Sequence, residues 1–230
     1  MMELNRISTG VSALDQMLEG GYEKDVISTI YGPAGSGKTN LCLLAMINAI
    51  KEGKKVIYID TEGGFSLSRL QQISNDYKKM LDQVLLLKPM NFEEQKKVFD
   101  KLRAMSNEKI GMIIVDTISM LYRIERDKDN ENSVVMTNRE LGLQFSYLTE
   151  IARKKNIPIL ITTQVYSSFD DREKVNLVGG DIVKYGSKCL IEIQKTHKSK
   201  RVAILKKHRS LPEAKSVLLE IREDGIFGVE

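Results

Sequence analysis

The chain has 230 residues, a length that fits one large domain with a sizeable core. Hydrophobic residues make up 42% and charged residues 29% of the sequence, so the composition excludes a disordered, collagen-like or disulfide-dense protein. Lys and Arg number 35 against 31 Asp and Glu, and this net charge of +4 is too small to indicate nucleic-acid binding by itself.

Targeting and redox signals point to the cytoplasm. No apolar run approaches the roughly 18 residues that a membrane helix needs, and the first residues lack the apolar stretch of a signal peptide. Cys42 and Cys189 are the two cysteines, and they lack the paired spacing of zinc sites and of disulfide frameworks. We therefore expect a single cytoplasmic domain that spans residues 1–230.

Short apolar segments rich in β-branched residues alternate with helical patterns from residue 26 to residue 163. This alternation of strand and helix patterns is typical of βαβ units, and it predicts an α/β fold with a mostly parallel sheet flanked by helices. The segments, alternating between strand and helix in chain order, are Val26–Tyr31, Asn40–Lys51, Lys55–Asp60, Leu67–Met80, Val84–Leu87, Phe92–Met105, Met112–Asp116, Glu140–Lys154 and Ile157–Thr163.

The pattern changes after Gln164. Residues 166–180 are polar and contain glycine without a clear period, which predicts a loop. The apolar segments that follow, Cys189–Gln194, Arg201–Lys206 and Val217–Ile221, are spaced as hairpins. We therefore expect a C-terminal antiparallel extension of the sheet.

A phosphate-binding motif follows the first of these predicted strands. Its glycines let successive N–H groups point into one concavity, Lys38 reaches the β and γ phosphates, and the Thr39 hydroxyl can ligate Mg²⁺. The motif predicts a site for ATP with Mg²⁺, and we include the next residue, Asn40, in it. The motif residues are Gly32, Pro33, Ala34, Gly35, Ser36, Gly37, Lys38 and Thr39.

Two carboxylates stand at the ends of predicted strands. Asp116 ends the strand Met112–Asp116, at the edge where parallel sheets bind ligands, and we expect it to assist Mg²⁺ binding. Glu62 follows the strand Lys55–Asp60, and we expect it to act as the general base that activates water. Alternatively, Asp116 is a capping or turn residue and Glu62 a solvated loop acid.

Most of the positive charge lies in one segment. Residues 195–209 carry +7 without an acidic residue, which leaves −3 on the other 215 residues. This asymmetry favours a polyanion such as single-stranded DNA, although a solvated lysine-rich hairpin is the alternative. The expected DNA-binding residues are Lys195, Lys198, Lys200, Arg201, Lys206, Lys207, His208 and Arg209.

Taken together, these motifs resemble the ATPase core of the RecA/RadA-type recombinases over nearly the whole chain. That resemblance implies a RecA-like fold that binds ATP and Mg²⁺ and acts on DNA. It is carried by Ser8-Thr9-Gly10, Leu14-Asp15, Gly20-Gly21, the phosphate loop, the run 58–63, Ile114-Val115-Asp116, Thr163-Gln164-Val165, Gly179-Gly180 and Leu211-Pro212-Glu213.

The resemblance also implies roles for single residues. Gln164 matches a glutamine that senses the γ-phosphate, and Arg69 matches an arginine that packs on adenine. Residues 123–133 and 165–184 correspond to two DNA-binding loops, in or beside which Tyr122, Tyr166 and Phe169 could stack on bases. Arg69 could equally be a plain helix-surface arginine, and the three aromatics ordinary packing residues.

Departures from the family pattern set limits on the expected activity. The core motif begins at Ser8, so we expect neither the N-terminal helical DNA-binding domain of strand-exchange members nor their polymerisation linker. Thr163 and Tyr185 replace an asparagine and a histidine that are common in the family, and we therefore expect slow ATP hydrolysis. In relatives, lysines near 206 and 207 serve the nucleotide of an adjacent subunit, which is an alternative to DNA contact here.

We therefore expect a recombinase paralogue that binds ATP and single-stranded DNA, assists a RadA-type recombinase in recombination and repair, and forms at most a short homo-oligomer. Two alternatives remain at this point. One is a KaiC-like regulatory ATPase that acts on protein partners without DNA, although such proteins usually carry two adjacent catalytic glutamates and here Glu62 stands alone. The other is a nucleotide-gated scaffold in which hydrolysis is incidental.

Overall fold

A computed structural model describes residues 5–126, 131–167 and 175–229 of the chain. In these residues no helix is both long and apolar enough to cross a bilayer. The elements, in chain order, are β1 (Arg6–Ile7), α1 (Ser12–Met17), β2 (Tyr22–Glu23), β3 (Ile27–Tyr31), α2 (Lys38–Lys51), β4 (Lys55–Asp60), α3 (Leu67–Ile73), α4 (Tyr77–Leu81), β5 (Val84–Leu87), α5 (Phe92–Met105), β6 (Ile110–Asp116), α6 (Met120–Arg126), α7 (Glu131–Lys155), β7 (Ile159–Thr163), β8 (Val165–Ser167), β9 (Val175–Leu177), α8 (Gly180–Gly186), β10 (Cys189–Lys195), β11 (Lys200–His208), β12 (Ser216–Arg222) and β13 (Gly225–Gly228).

A nine-stranded sheet runs through the molecule in the order β13-β12-β11-β10-β3-β7-β6-β4-β5. All neighbouring strands from β10 to β5 are parallel. The hairpins from β10 to β13 are antiparallel. This topology confirms the predicted α/β class, with a mostly parallel sheet and a C-terminal antiparallel extension.

Side chains of the central strands alternate between two hydrophobic cores, one on each face of the sheet. Tyr58 and Ile114 belong to the core that contains α2, whereas Ile57 and Ile113 belong to the core that contains α5 and α7. Successive residues of a strand point to opposite faces, so a strand that is covered by helices on both sides is apolar throughout. This explains why the strand sequences are continuous apolar runs.

The segment 67–80, which we predicted as one helix, forms two helices. α3 ends at Ile73, and its C-cap Ser74 is extended with φ −146° and ψ 123°. Residues 74–76 are Ser-Asn-Asp, whose side chains compete with the helix for backbone hydrogen bonds and favour caps and turns. The chain therefore breaks here before α4 begins at Tyr77.

The predicted loops contain more regular structure than their composition indicated. β8 and β9 form a two-stranded antiparallel sheet within the expected second loop, and α8 follows them. The expected first loop overlaps the end of α6 and the start of α7. Phe169 and residues 127–130, which belong to these two predictions, lie outside the described residues.

Candidate nucleotide site and basic hairpin

The phosphate loop joins β3 to α2 at the carboxyl edge of the parallel strands. Gly37 precedes α2 with a left-handed φ of 100°. A Cβ atom on Gly37 would lie 2.7 Å from Cδ1 of Ile221, which belongs to β12. The left-handed backbone conformation therefore favours glycine at this position, and the Ile221 side chain occupies the space beside it.

Lys38 is turned back onto its own loop. Its Nζ donates hydrogen bonds to the carbonyls of Gly32 at 2.9 Å and Pro33 at 3.0 Å, and the residue is 7% exposed. Burial lowers the pKa of Lys38, whereas the charges of Glu62 and Asp116 raise it. The ammonium thus lies at the loop with acidic side chains near it, in position to reach a phosphate.

The donor set fits a magnesium nucleotide. The Ser36 hydroxyl oxygen is buried in the loop and has no hydrogen-bond partner among the described residues. A Cβ atom on Gly64 would lie 3.2 Å from Thr39 Oγ1 and 3.8 Å from Asp116 Oδ2, so glycine keeps open the space that both oxygens face. A hydroxyl and a carboxylate that face one space are the oxygen ligands that Mg²⁺ prefers.

Asp116 is held in place by two side chains that sequence reasoning missed. The Tyr58 hydroxyl donates to Oδ2 at 2.9 Å, and the Thr162 hydroxyl donates to Oδ1 at 2.5 Å. Burial is the main cause that raises the pKa of Tyr58, so this hydroxyl keeps its proton and remains a donor. Tyr58 and Thr162 lie on the neighbouring strands β4 and β7, and only the strand order could have revealed them.

Glu62 and Gln164 are in contact, although they lie 102 residues apart. Gln164 Nε2 donates to Glu62 Oε1 at 2.6 Å, and the Thr117 hydroxyl donates to the same oxygen at 3.2 Å. Glu62 itself is exposed. The expected general base and the expected γ-phosphate sensor therefore form one hydrogen-bonded unit beside the phosphate loop.

The turn that carries Glu62 is shaped by Asp60, another residue that sequence reasoning missed. Its buried carboxylate accepts hydrogen bonds from Gly64 N at 3.0 Å and Phe65 N at 3.1 Å. A carboxylate that accepts backbone N–H groups at a strand end is typical of a fixed turn. A strand-ending Asp two residues before Glu62 was the available signal.

Arg69 and Asn40 line the same pocket of about 340 Å³ as Lys38, Thr39, Glu62 and Gln164. This volume lies in the range of small-ligand sites. Arg69 Nε donates to Asn40 Oδ1 at 3.0 Å, and the two Nη atoms donate to the carbonyls of Arg222 and Glu223. The Arg69 side chain is therefore a fixed wall of the pocket rather than a free surface arginine.

The basic segment does not form one patch, because β10 and β11 pair in antiparallel register. Lys195 faces Arg201 beside the phosphate loop, whereas Leu190 faces Lys207 toward the amino end of β10. A strand rises about 3.3 Å per residue, so Arg201 and Lys207 lie about 20 Å apart. We call Lys195, Lys198, Lys200 and Arg201 the tip cluster and Lys206, Lys207, His208 and Arg209 the base cluster.

Side chains of the base cluster are engaged within the molecule. Lys206 pairs with Glu192 at 3.6 Å. Lys207 Nζ donates to the carbonyls of Lys184 at 2.6 Å and Ser187 at 2.8 Å. Arg209 pairs with Glu23 at 2.7 Å and with Asp25 at 2.9 Å.

The expectation that His208 contacts DNA is wrong in this structure. Its side chain is 1% exposed, and Nδ1 accepts the backbone N–H groups of Ser210 and Leu211, each at 3.1 Å. Burial lowers the pKa of His208, which disfavours the charged form that a phosphate would attract. Tyr122 is likewise a packing residue, because it is 2% exposed and its hydroxyl donates to Asn138 at 2.6 Å.

The tip cluster is the more accessible half of the segment. Lys195, Lys198 and Lys200 are exposed, and within the described ranges none of them forms an ion pair with a carboxylate. Lys198 lies in the turn between β10 and β11 with a positive φ of 58°. These three side chains are the members of the predicted DNA-binding set that face solvent without such a partner.

Three features of the site define a class of protein: a phosphate loop between β3 and α2, acidic residues at the carboxyl ends of β4 and β6, and a glutamine directly after β7. They are the arrangement of a RecA-like P-loop nucleotide-binding protein. The Rad51 family model matches residues 1–229.

Named relatives and a solved structure agree with this class. The chain is 39% identical over 223 residues to the DNA repair and recombination protein RadB of Methanobrevibacter smithii. The aligned region covers 94% of this chain and 93% of the relative. It is 41% identical over 217 residues to the protein of the same name from Methanocaldococcus jannaschii, and this aligned region covers 93% of this chain and 98% of the relative. A crystal structure of the RadB recombinase matches with a TM-score of 0.83 and 34% identity, covering 97% of this chain and 100% of that one.

The chain therefore belongs to the Rad51 family and, within it, to the archaeal RadB recombinase paralogues. This confirms the resemblance on which the sequence interpretation drew. These matches lend no support to the KaiC-like alternative.

The contacts of Lys207 predict a structural effect of its substitution. Lys207→Met removes the ammonium that binds the last carbonyls of α8, and we expect a loss of about 1 kcal/mol in the free energy of unfolding. Hydrogen exchange at the carboxyl end of α8 should accelerate, and denaturant unfolding should measure the loss. Lys97→Met, at an exposed lysine on α5, is the matched control and should leave both unchanged. Equal stability of the two variants would contradict this role.

Proposed function

We propose that this protein binds ATP with Mg²⁺, hydrolyses it slowly and binds single-stranded DNA as an accessory of a RadA-type recombinase in DNA recombination and repair. The observation that carries the catalytic part is the 2.6 Å contact between Gln164 Nε2 and Glu62 Oε1 in the pocket of the phosphate loop. A cytoplasmic location, a single domain and assembly into a short homo-oligomer belong to the same proposal.

Nucleotide binding rests on the phosphate loop and its neighbours. The backbone N–H groups from Gly35 to Thr39 would cradle the β-phosphate, and Lys38 would exchange its two carbonyl partners for phosphate oxygens. Thr39 and Asp116 would hold Mg²⁺, which neutralises phosphate charge when it is bound. Arg69 would lie against the base, because it closes the same pocket with Asn40.

Hydrolysis rests on Glu62 and Gln164. The exposed carboxylate of Glu62 can accept a proton from an attacking water. Gln164 holds that carboxylate, and a γ-phosphate near the loop would compete for its amide donor. If the Gln164 amide bound the γ-phosphate instead, the Glu62 carboxylate would be free to turn toward water. Gln164 would in this way couple nucleotide binding to the position of the general base.

Glu62→Gln tests the assignment of the base. The amide keeps the size of the side chain but cannot accept the proton, so turnover of ATP should fall by about 100-fold or more. Binding of a fluorescent ATP analogue with Mg²⁺ should remain within a factor of about two, since the phosphate cradle is intact. Steady-state phosphate release and equilibrium fluorescence measure the two quantities. Glu52→Gln, an exposed acid after α2, controls for charge, and wild-type turnover in Glu62→Gln would exclude Glu62 as the base.

DNA binding rests on the tip cluster and on an exposed aromatic residue. Lys198 and Lys200 project into solvent where a phosphate backbone can reach them. Tyr166, which is 50% exposed on β8, offers a face on which a base can stack. The relatives named DNA repair and recombination proteins support a DNA partner, and we extend that partner to this chain.

The salt dependence of DNA binding tests the tip cluster. In Lys198→Gln with Lys200→Gln, the slope of log affinity against log salt for oligo(dT) should decrease by about 0.7 for each phosphate contact that is lost. Fluorescence anisotropy at a series of salt concentrations measures this slope. Lys78→Gln with Lys79→Gln removes the same charge from α4, next to β5 at the far edge of the sheet, and should retain the wild-type slope. Two unchanged slopes would refute the assignment.

A further inference from the structure

The Arg201 guanidinium bridges the tip of the β10–β11 hairpin and the phosphate loop. Nη1 donates to the carbonyls of Lys198 at 3.1 Å and Lys200 at 2.7 Å, and Nη2 donates to the carbonyl of Gly35 at 3.2 Å. Nε is buried and has no hydrogen-bond partner among the described residues. The planar guanidinium of Arg201 thus donates hydrogen bonds to three carbonyls of its own chain.

The hairpin that presents Arg201 is itself held in place. Its turn is closed by hydrogen bonds from Thr196 N to Lys200 O at 3.2 Å and from Lys200 N to His197 O at 3.3 Å. Ile221 N donates to Ser199 O at 3.1 Å, which ties the turn to β12. Arg201 therefore connects the phosphate loop to a fixed part of the sheet rather than to a loose surface segment.

The carbonyl of Gly35 matters because it belongs to the phosphate cradle. The peptide bond is planar, so a fixed Gly35 carbonyl also fixes the direction of the Ser36 N–H on the other side of the same plane. That N–H lies within the loop and donates to Pro33 O at 3.2 Å. Arg201 therefore helps to hold the turn from Pro33 to Ser36, which gives the phosphate loop its curl.

Lys195 covers the same glycine. A Cβ atom on Gly35 would lie 3.2 Å from Lys195 Nζ. Among the pocket-lining residues are Gly35, Gly37 and Lys38, but neither Lys195 nor Arg201. The side chains of Lys195 and Arg201 therefore contact the phosphate loop from the side that faces away from the pocket.

We propose that Arg201 is a positioning residue of the nucleotide site, which holds the phosphate loop through the Gly35 carbonyl, and that it is not a DNA contact. This inference rests on the proposed binding of ATP. It reassigns one member of the tip cluster, because three of the five N–H groups bind internal carbonyls and a fourth, on Nε, is buried. The guanidinium is therefore left without the two parallel donors with which arginine binds a phosphate best. Lys198 and Lys200 keep their assignment to DNA.

The test compares Arg201→Gln, Arg201→Lys and Arg153→Gln with the wild-type protein. Arg153 is an exposed arginine on α7 and serves as the matched control. Each protein is titrated with a fluorescent ATP analogue and Mg²⁺, and the bound analogue is displaced with inorganic pyrophosphate. The salt slope for oligo(dT) and the thermal midpoint are measured on the same samples.

In Arg201→Gln we expect affinity for both the ATP analogue and pyrophosphate to fall about tenfold, the loss that one charge-assisted hydrogen bond typically represents. Arg201→Lys should recover part of this loss, because one ammonium can still reach one carbonyl. The salt slope for oligo(dT) should stay at the wild-type value, and Arg153→Gln should match the wild type throughout. A role in folding alone would lower the thermal midpoint without this selective loss for phosphate ligands.

Wild-type affinity for both ligands in Arg201→Gln would overturn the inference while leaving the proposed function intact. A decrease in the salt slope for oligo(dT) would also overturn it and would return Arg201 to the DNA-binding set. A wild-type protein that does not bind the ATP analogue would instead refute the proposed function, and with it the premise of this inference.

Discussion

Backbone N–H groups at the start of α2 can hold an anion only if the loop before that helix keeps its curled shape. The small residues of this loop cannot keep that shape by packing of their own side chains. The shape is supported from several sides. Ile221 of β12 packs against Gly37, Arg201 of β11 binds the Gly35 carbonyl, and Lys38 binds the carbonyls at the beginning of the loop. The antiparallel extension is therefore a wall of the nucleotide site, and not only an addition to the edge of the sheet.

Acidic residues of the site differ in how firmly they are held. Asp60 and Asp116 are buried, and each accepts two hydrogen bonds from neighbouring groups. Buried carboxylates that are fully hydrogen-bonded keep a defined position. Glu62 is exposed and is held by side-chain donors from Gln164 and Thr117, which leaves it freer to move. A fixed carboxylate suits a metal ligand, whereas a mobile one suits a base that must meet water.

The positively charged side chains of the β10–β11 hairpin have different partners at the tip and at the base of the hairpin. At the base cluster, Lys207 and Arg209 bind carbonyls and carboxylates, so their charge stabilises the junction with α8 and β2. At the tip cluster, Lys198 and Lys200 face solvent beside the phosphate loop. A polyanion and a nucleotide would therefore bind close to one another, at the same edge of the sheet.

The phosphate loop, the class of fold and the strands that end at Asp116 and before Glu62 could be predicted from the amino-acid sequence, because they follow from local spacing and hydrophobic pattern. The sequence also placed Gln164 in the site, through the resemblance to a family. The side chains that hold these groups, and the division of the basic segment into a tip cluster and a base cluster, became visible in the folded chain. Hydrogen bonds such as that from Tyr58 to Asp116 depend on strand order. The contact of Arg201 with Gly35 depends on the pairing of β11 with β10 and of β10 with β3, which brings together residues that no local pattern relates.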